Sequence, residues 1–287
     1  MTKSNEVFVD TVREKLADRR SFMRKFGMAS AGLGAFMLAA KSGKAQAITD
    51  VDILQFALNL EYLESEFYTQ ATSGMSISQM GVGITGSGNA GATTGGKQVT
   101  FIAGSTLALS AVEIASDERD HVTLIRGALT AAGVQPIAKP AINLDALGIG
   151  FGSQEEFITL ARAFEDVGVS AYGGAAPLIS SKTYLGVAAR ILAAEALHTG
   201  NLRLHAALYQ VPMKPVDPVD IVPPPSGTQF ISVSSMTALS LIRTPGQVLY
   251  IAYGGQANAT SGGFFPSGVN GALNTSTAPA AASDEAA

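Results

Sequence analysis

Cysteine is absent from the 287-residue chain, histidine occurs three times, and charged residues make up only 15%. The first absence excludes disulfides, thiolate zinc sites, iron–sulfur clusters and cysteine nucleophiles, so any metal must be held by histidine and carboxylate. Nor is there a long apolar run suited to crossing a membrane. The stretch from Phe26 to Ala40 is short and rich in Gly and Ala. An excess of basic charge is missing as well. Residues 1–47 hold 9 Lys/Arg and 4 Asp/Glu, which leaves 10 basic and 19 acidic residues beyond them. That balance argues against nucleic acid or an anionic membrane surface as a partner of the main body.

The basic N-terminal segment has its own explanation. In "DRRSFMRKFGMASAGLGAFMLAAKSGKAQA" the paired Arg19 and Arg20 precede the weakly apolar run, and Ala45 and Ala47 form a small-residue cleavage end. The arrangement matches a twin-arginine signal, with Asp18 where Ser or Thr is usual. Residues 1–47 are therefore expected to engage the twin-arginine export machinery and deliver a periplasmic or secreted protein. A general secretory signal or an uncleaved anchor is the plainer alternative. Export by this route suits a protein that folds around a cofactor first.

Beyond it, the periodicity predicts four long helices and no strong two-residue alternation, an all-α fold. The first covers about 51–72, with apolar residues at Ile53, Leu54, Ala57, Leu58, Leu60 and Leu63. A Gly/Ser/Thr-rich loop follows, long enough to be functional or mobile. The second helix is expected over 98–132, ending at Gly133. The third opens at Ser153 with Glu156 completing a capping box, and Gly173, Gly174 and Pro177 should bend or end it. The fourth covers about 183–209 and stops before Pro212. Together, 48–210 reads as a four-helix bundle. Residues 211–271, with a Pro-rich linker and the apolar Leu249, Tyr250, Phe264 and Phe265, read as an irregular extension packed on it. Residues 272–287 read as a disordered tail.

Two of the three histidines sit three residues after a glutamate: Glu118 and His121 in "ASDERDH", Glu195 and His198 in "AAEALH". Glutamate is 12 of 287 residues, so this repetition is not a chance expectation. Positions i and i+3 share a helix face, so each turn can offer a carboxylate and an imidazole to one point. The other two helices each supply a carboxylate with a tyrosine seven residues, or two turns, later: Glu61 with Tyr68, and Glu165 with Tyr172. Four carboxylates and two neutral imidazoles balance two divalent cations. A nitrogen–oxygen shell suits iron or manganese better than a soft metal.

This pattern resembles the ferritin-like carboxylate proteins, in particular the exported ferritin-like group that includes desiccation-related proteins. The resemblance spans about 50–209, and "RTPGQVLYIAYGG" and "GGFFPSGVNG" are similar to C-terminal segments of bacterial members. It implies a ferritin-like four-helix bundle holding two metal ions, iron before manganese. Glu61, Glu118, His121, Glu165, Glu195 and His198 are then the ligands. The residues themselves leave open which carboxylates bridge. The resemblance implies Glu118 and Glu195, with Glu61 and Glu165 terminal and one metal on each histidine.

Plainer roles are assigned to the neighbours. Glu64, one turn from Glu61, competes with it as ligand or sits beside the site, and the seven-residue match to the third helix favours Glu61. Glu66 is expected to be solvated. Asp117, Asp120 and Asp166 point off the ligand face, to the surface or to a supporting role, while Glu113 could orient a histidine. His205 is expected to be an ordinary buried or interfacial histidine, with proton transfer near the site as the alternative; Tyr62 and Tyr184 are expected to be core residues, and Arg119 and Arg126 solvated or salt-bridged. The chemistry this set supports is redox work on dioxygen or peroxide, with Tyr68 and Tyr172 as hydrogen-bonding or electron-supplying groups and an external reductant. The alternative is a stress- or desiccation-related structural protein with a structural or vestigial metal site. Iron storage is weaker, because the long first loop and the extension depart from a compact storage subunit. Homo-oligomerisation is left open.

Overall fold

A computed structural model describes residues 47–235 and 237–281. The expected signal segment lies outside the described residues, apart from Ala47. Four long helices dominate: α1, Asp50–Ser73; α2, Thr106–Ala131; α3, Gln154–Ala175; and α4, Lys182–Leu208. Helix α1 packs along α2 and α3 along α4, and the two pairs close on each other through α1–α3 and α2–α4. A short α5, Pro245–Ala252, lies against α3. None of the described helices is long and apolar enough to cross a membrane.

The helix ends follow local chemistry. Thr49 and Asp52 form a reciprocal capping box that starts α1, and Gly74 ends it in the left-handed conformation (φ 71°). Helix α2 begins at Ser105, whose hydroxyl accepts from the Ala108 N–H, and not at 98 as the sequence suggests. Residues 98–105 are diverted because Val99 N–H donates to Ala71 O and Ile102 N–H to the Gln154 side chain. Ser153 caps α3 as expected. Glu156 does not complete a capping box, because its carboxylate accepts from the N–H groups of Gly150 and Gly152 instead. Gly173 and Gly174 stay helical, and the helix tightens into a 3₁₀ turn only at Ala176–Leu178.

The Gly-rich loop after α1 is ordered rather than free. It runs beside residues 136–144, exchanging backbone hydrogen bonds and pairing two short parallel strands, β1 (Thr93–Thr94) and β2 (Ile142–Asn143). Gly86 permits this approach, since a Cβ there would lie 2.0 Å from the Pro136 carbonyl.

The described residues beyond 210 pack on the bundle, and Phe264, Phe265 and Leu249 are buried. Charge holds it as well as apolar contact. Arg243, 2% exposed, donates twice to Asp217 and once to the Ser170 hydroxyl on α3. Arg162 and Arg203 converge on Asp166, and Arg162 also reaches Asp220. Asp166 is therefore a buried structural anchor, with no surface role. Removing one member of such a pair strands a charge in the interior. Arg243→Ala is accordingly expected to lower stability by about 3–5 kcal/mol in urea unfolding, far more than an exposed Arg190→Ala control.

The disorder expected from 272 onward does not hold for residues 272–281. Residues 272–281 are held in place: the Ser276 N–H donates to Ala259 O, its hydroxyl to Gln256 O, and Thr277 N–H to Gly246 O. Ser276 and Ala280 are each only 1% exposed. These backbone and hydroxyl bonds compensate for the segment's lack of large side chains.

Candidate metal centre

The bundle interior brings together all six of the expected ligand residues. Glu61 comes from α1, Glu118 and His121 from α2, Glu165 from α3, and Glu195 and His198 from α4. Glu118, Glu165 and Glu195 have no exposed surface, and Glu61 is 1% exposed. They fall into two groups. Glu61, Glu118, His121 and Glu195 each offer one atom within 4.8 Å of the others, and so do Glu118, Glu165, Glu195 and His198.

Glu118 and Glu195 belong to both groups. Glu118 divides its oxygens: Oε2 lies 3.4 Å from His121 Nδ1, and Oε1 lies 3.2 Å from His198 Nδ1. Glu61 approaches only His121, at 3.3 Å, and Glu165 only His198, at 3.3 Å. The imidazole rings are 6.2 Å apart, centroid to centroid.

The donor set fits two metal ions. Nine buried atoms converge here without a hydrogen-bond partner: Oε2 of Glu61, both carboxylate oxygens of Glu118, Glu165 and Glu195, and Nδ1 of His121 and His198. Leaving so many polar atoms unsatisfied is costly unless a cation completes the set. The charge logic agrees. Burial, and then the Glu195 carboxylate, push Glu118 up to about 7 against the contrary pull of the two histidines. Burial followed by Glu165 holds Glu195 well above the usual carboxylate range. Burial by itself would depress both histidines, yet the surrounding carboxylates override it, raising His121 far up and His198 up to about 12. Without metal, protons therefore balance the cluster, and the imidazoles stand in for the cations.

A family model described as "Ferritin-like domain" matches residues 49–208. The chain belongs to the ferritin-like family. A comparison with curated proteins finds no match. The matched ferritin-like domain contains the whole carboxylate–histidine cluster, whereas the extension after 208 lies outside it.

Around this ferritin-like cluster the tyrosines cross between helices. Tyr172 of α3 donates to Glu61 of α1. Tyr68 of α1 is buried against Glu165 of α3, and burial first, then that carboxylate, keep its hydroxyl protonated. Burial and Glu61 do the same for Tyr172. Tyr172 is thus a neutral donor to a carboxylate of one group, whereas the Tyr68 hydroxyl is buried without a hydrogen-bond partner.

The structure separates the two α1 candidates. Glu61 stands in the cluster. Glu64 lies beside it outside both groups, pushed well above the usual range by burial and then by Glu195. Gly168 on α3 makes room, because a Cβ there would lie 2.7 Å from a Glu195 oxygen and 3.2 Å from one of Glu64.

Two expectations need correction. Glu66 is 1% exposed, not solvated; it lies 3.7 Å from Lys139 Nζ and accepts from Ile77 N–H. The loop after α1 and the segment carrying Lys139 cover this side of the helix, so α1 is enclosed nearly all round. Glu113 is exposed and orients no histidine.

Asp117 takes the orienting role, with Oδ2 3.1 Å from His198 Nε2. A carboxylate there fixes the ring so that Nδ1 faces the cluster. The matching position before Glu195 is Ala194, so His121 has no such partner on α4. Asp117→Ala is expected to weaken the metal held through His198 about 10–100-fold while sparing that on His121, measured by competition with a chelator. Asp120→Ala, altering an exposed neighbour, should leave both affinities unchanged.

His205 is buried, and burial lowers its pKa, as for an ordinary interior histidine. Tyr62 is a core residue whose hydroxyl accepts from Arg126 and donates to Ile137 O. Tyr184 packs beside Ile53, and Arg119 reaches the Thr69 hydroxyl.

Proposed function

We propose that this chain is an exported oxidoreductase with a dinuclear non-haem iron or manganese centre, acting on dioxygen or peroxide with electrons from an external reductant. The observation that carries the proposal is Glu118, one buried carboxylate presenting one oxygen to each histidine. When bound, two adjacent redox-active ions supply two electrons together to an oxygen species.

The chain's own contribution is arrangement. Glu118 and Glu195 span both positions, and Glu61 and Glu165 complete one each. Apolar side chains such as Phe67, Phe164 and Ile114 exclude water and preserve the strength of these contacts. Tyr172 holds its proton toward Glu61, and Tyr68 stands beside Glu165, within the same dry interior. The lack of cysteine leaves no thiolate-bound electron-transfer centre in the chain, which is why the reductant is external. Arg19, Arg20 and the Ala45–Ala47 end support export, so the working compartment is the periplasm or beyond.

Anaerobic loading with ferrous iron, followed by oxygen or peroxide, is the test. An absorbance change that needs metal and recurs on re-reduction is expected. Two bound ions with no spectral response and no turnover would leave the desiccation-related structural role, in which metal only braces the bundle.

A further inference from the structure

A cavity of about 590 Å³ lies between α1, α3 and the C-terminal extension, in the size range of small-molecule sites. Leu60, Leu63, Leu160, Phe164, Val248 and Phe264 give it apolar walls. It follows α3 from Thr159 to Gly168, roughly 13 Å at the helical rise.

Its two ends differ. At one, Glu64 and Gly168 border it, and these touch the metal-binding cluster: Glu64 is 5% exposed while Glu118, Glu165 and Glu195 are fully covered. Glu64 is thus the carboxylate between cavity and cluster. At the other end, roughly 9 Å back along α3, Arg162 and Lys214 line the wall together, joined by a hydrogen bond from Arg162 to the Lys214 carbonyl. Arg162 gives its outer nitrogens to Asp166, Asp220 and Lys214, and leaves Nε buried without a partner. Lys214 is exposed and makes no ion pair among the described residues. Asp166 and Asp220 balance the Arg162 guanidinium, so Lys214 is the cation left uncompensated here, and a long apolar slot with such a cation at its rim matches an anion on an alkyl chain.

We propose that this cavity binds an unbranched fatty carboxylate, its head at Lys214 and its chain running past Leu160 and Phe164 toward Glu64 and Gly168 beside the carboxylate–histidine cluster. Naming this ligand as the organic substrate rests on the oxidative reading above; its binding does not. The extension outside the ferritin-like match then acts as the wall that makes the cavity, through Val248 and Phe264.

Displacement of a fluorescent fatty-acid probe by laurate, measured on the full mature chain with metal content determined on the same samples, tests the proposal. One laurate per chain is expected, with Lys214→Glu weakening it about tenfold and affecting dodecanol little. Ala163→Trp, which fills the slot from α3, should abolish binding of both while metal content is unchanged. If that variant fails to fold, Ile251→Trp fills the same space from α5. Equal laurate binding by the filled variant, or equal binding of dodecyltrimethylammonium by the parent, would overturn the proposal. A parent protein that holds two metals but binds no laurate counts against the cavity proposal alone; a parent that binds laurate but holds no metal counts against the oxidative reading alone.

Discussion

Glu118→Ala is expected to take bound metal from two ions per chain to nearly none, whereas Glu61→Ala and Glu165→Ala should each lose one. The difference follows from sharing. Glu118 faces both histidines, while Glu61 and Glu165 each face only one. Elemental analysis of natively produced protein reads this directly, and equal loss in all three variants would sink the shared-carboxylate arrangement. A second effect should run the other way. Metal-free Glu118 is raised from 4.5 to about 7, so at about pH 8 holding it ionised in the interior costs on the order of 3 kcal/mol. Metal-free Glu118→Gln, similar in volume but uncharged, is expected to be more stable than the metal-free parent by up to about that amount. A residue whose loss destroys the site yet steadies the empty fold is one retained for function and not for packing.

The residues that form this centre were legible because helices impose a fixed spacing. Glu118 with His121 and Glu195 with His198 repeat one interval, and Glu61 with Tyr68 and Glu165 with Tyr172 repeat another, so four separate segments describe one surface. The choice of Glu61 over Glu64 also followed from that match. What periodicity could not convey is enclosure. Helix α1 carries Glu61, Glu64 and Glu66 within two turns, and a helix covered on one side would leave at least one in water. All three are buried because the loop after α1 and the extension, whose sequences carry little period, wrap the remaining faces. The contacts responsible join distant residues: Asn59 exchanges two hydrogen bonds with the Asn270 backbone, and the Asn270 side chain binds Asn89 and Ala138. Asp117 illustrates the same limit. Its neighbour Glu118 points inward and it does not, but α4 passes close enough for His198 to reach it.

Heat capacity scans should show metal raising the melting temperature by on the order of 10 °C at about pH 8 and by little at about pH 5. The sign comes from the protons that occupy the empty cluster. Glu118 titrates near 4.5 in the unfolded chain and near 7 when folded, and Glu64, Glu165 and Glu195 are also raised by burial. Both histidines are raised too. Over that window the folded, metal-free protein binds more protons than the unfolded chain, so its stability falls as pH rises from about 4.5 through about 7 and beyond. Metal reverses the dependence, since it binds the deprotonated carboxylates and neutral imidazoles and must displace those protons. Proton competition is strongest in acid, where metal therefore adds least. At about pH 8, with free metal some thousandfold above Kd, linkage supplies about 4 kcal/mol. Calorimetric titration in buffers of different ionisation enthalpy should register the same event as protons released per metal bound. A metal-free protein most stable at about pH 8, or binding without proton release, would mean that the cluster is held together by something other than the charge balance inferred from its buried carboxylates.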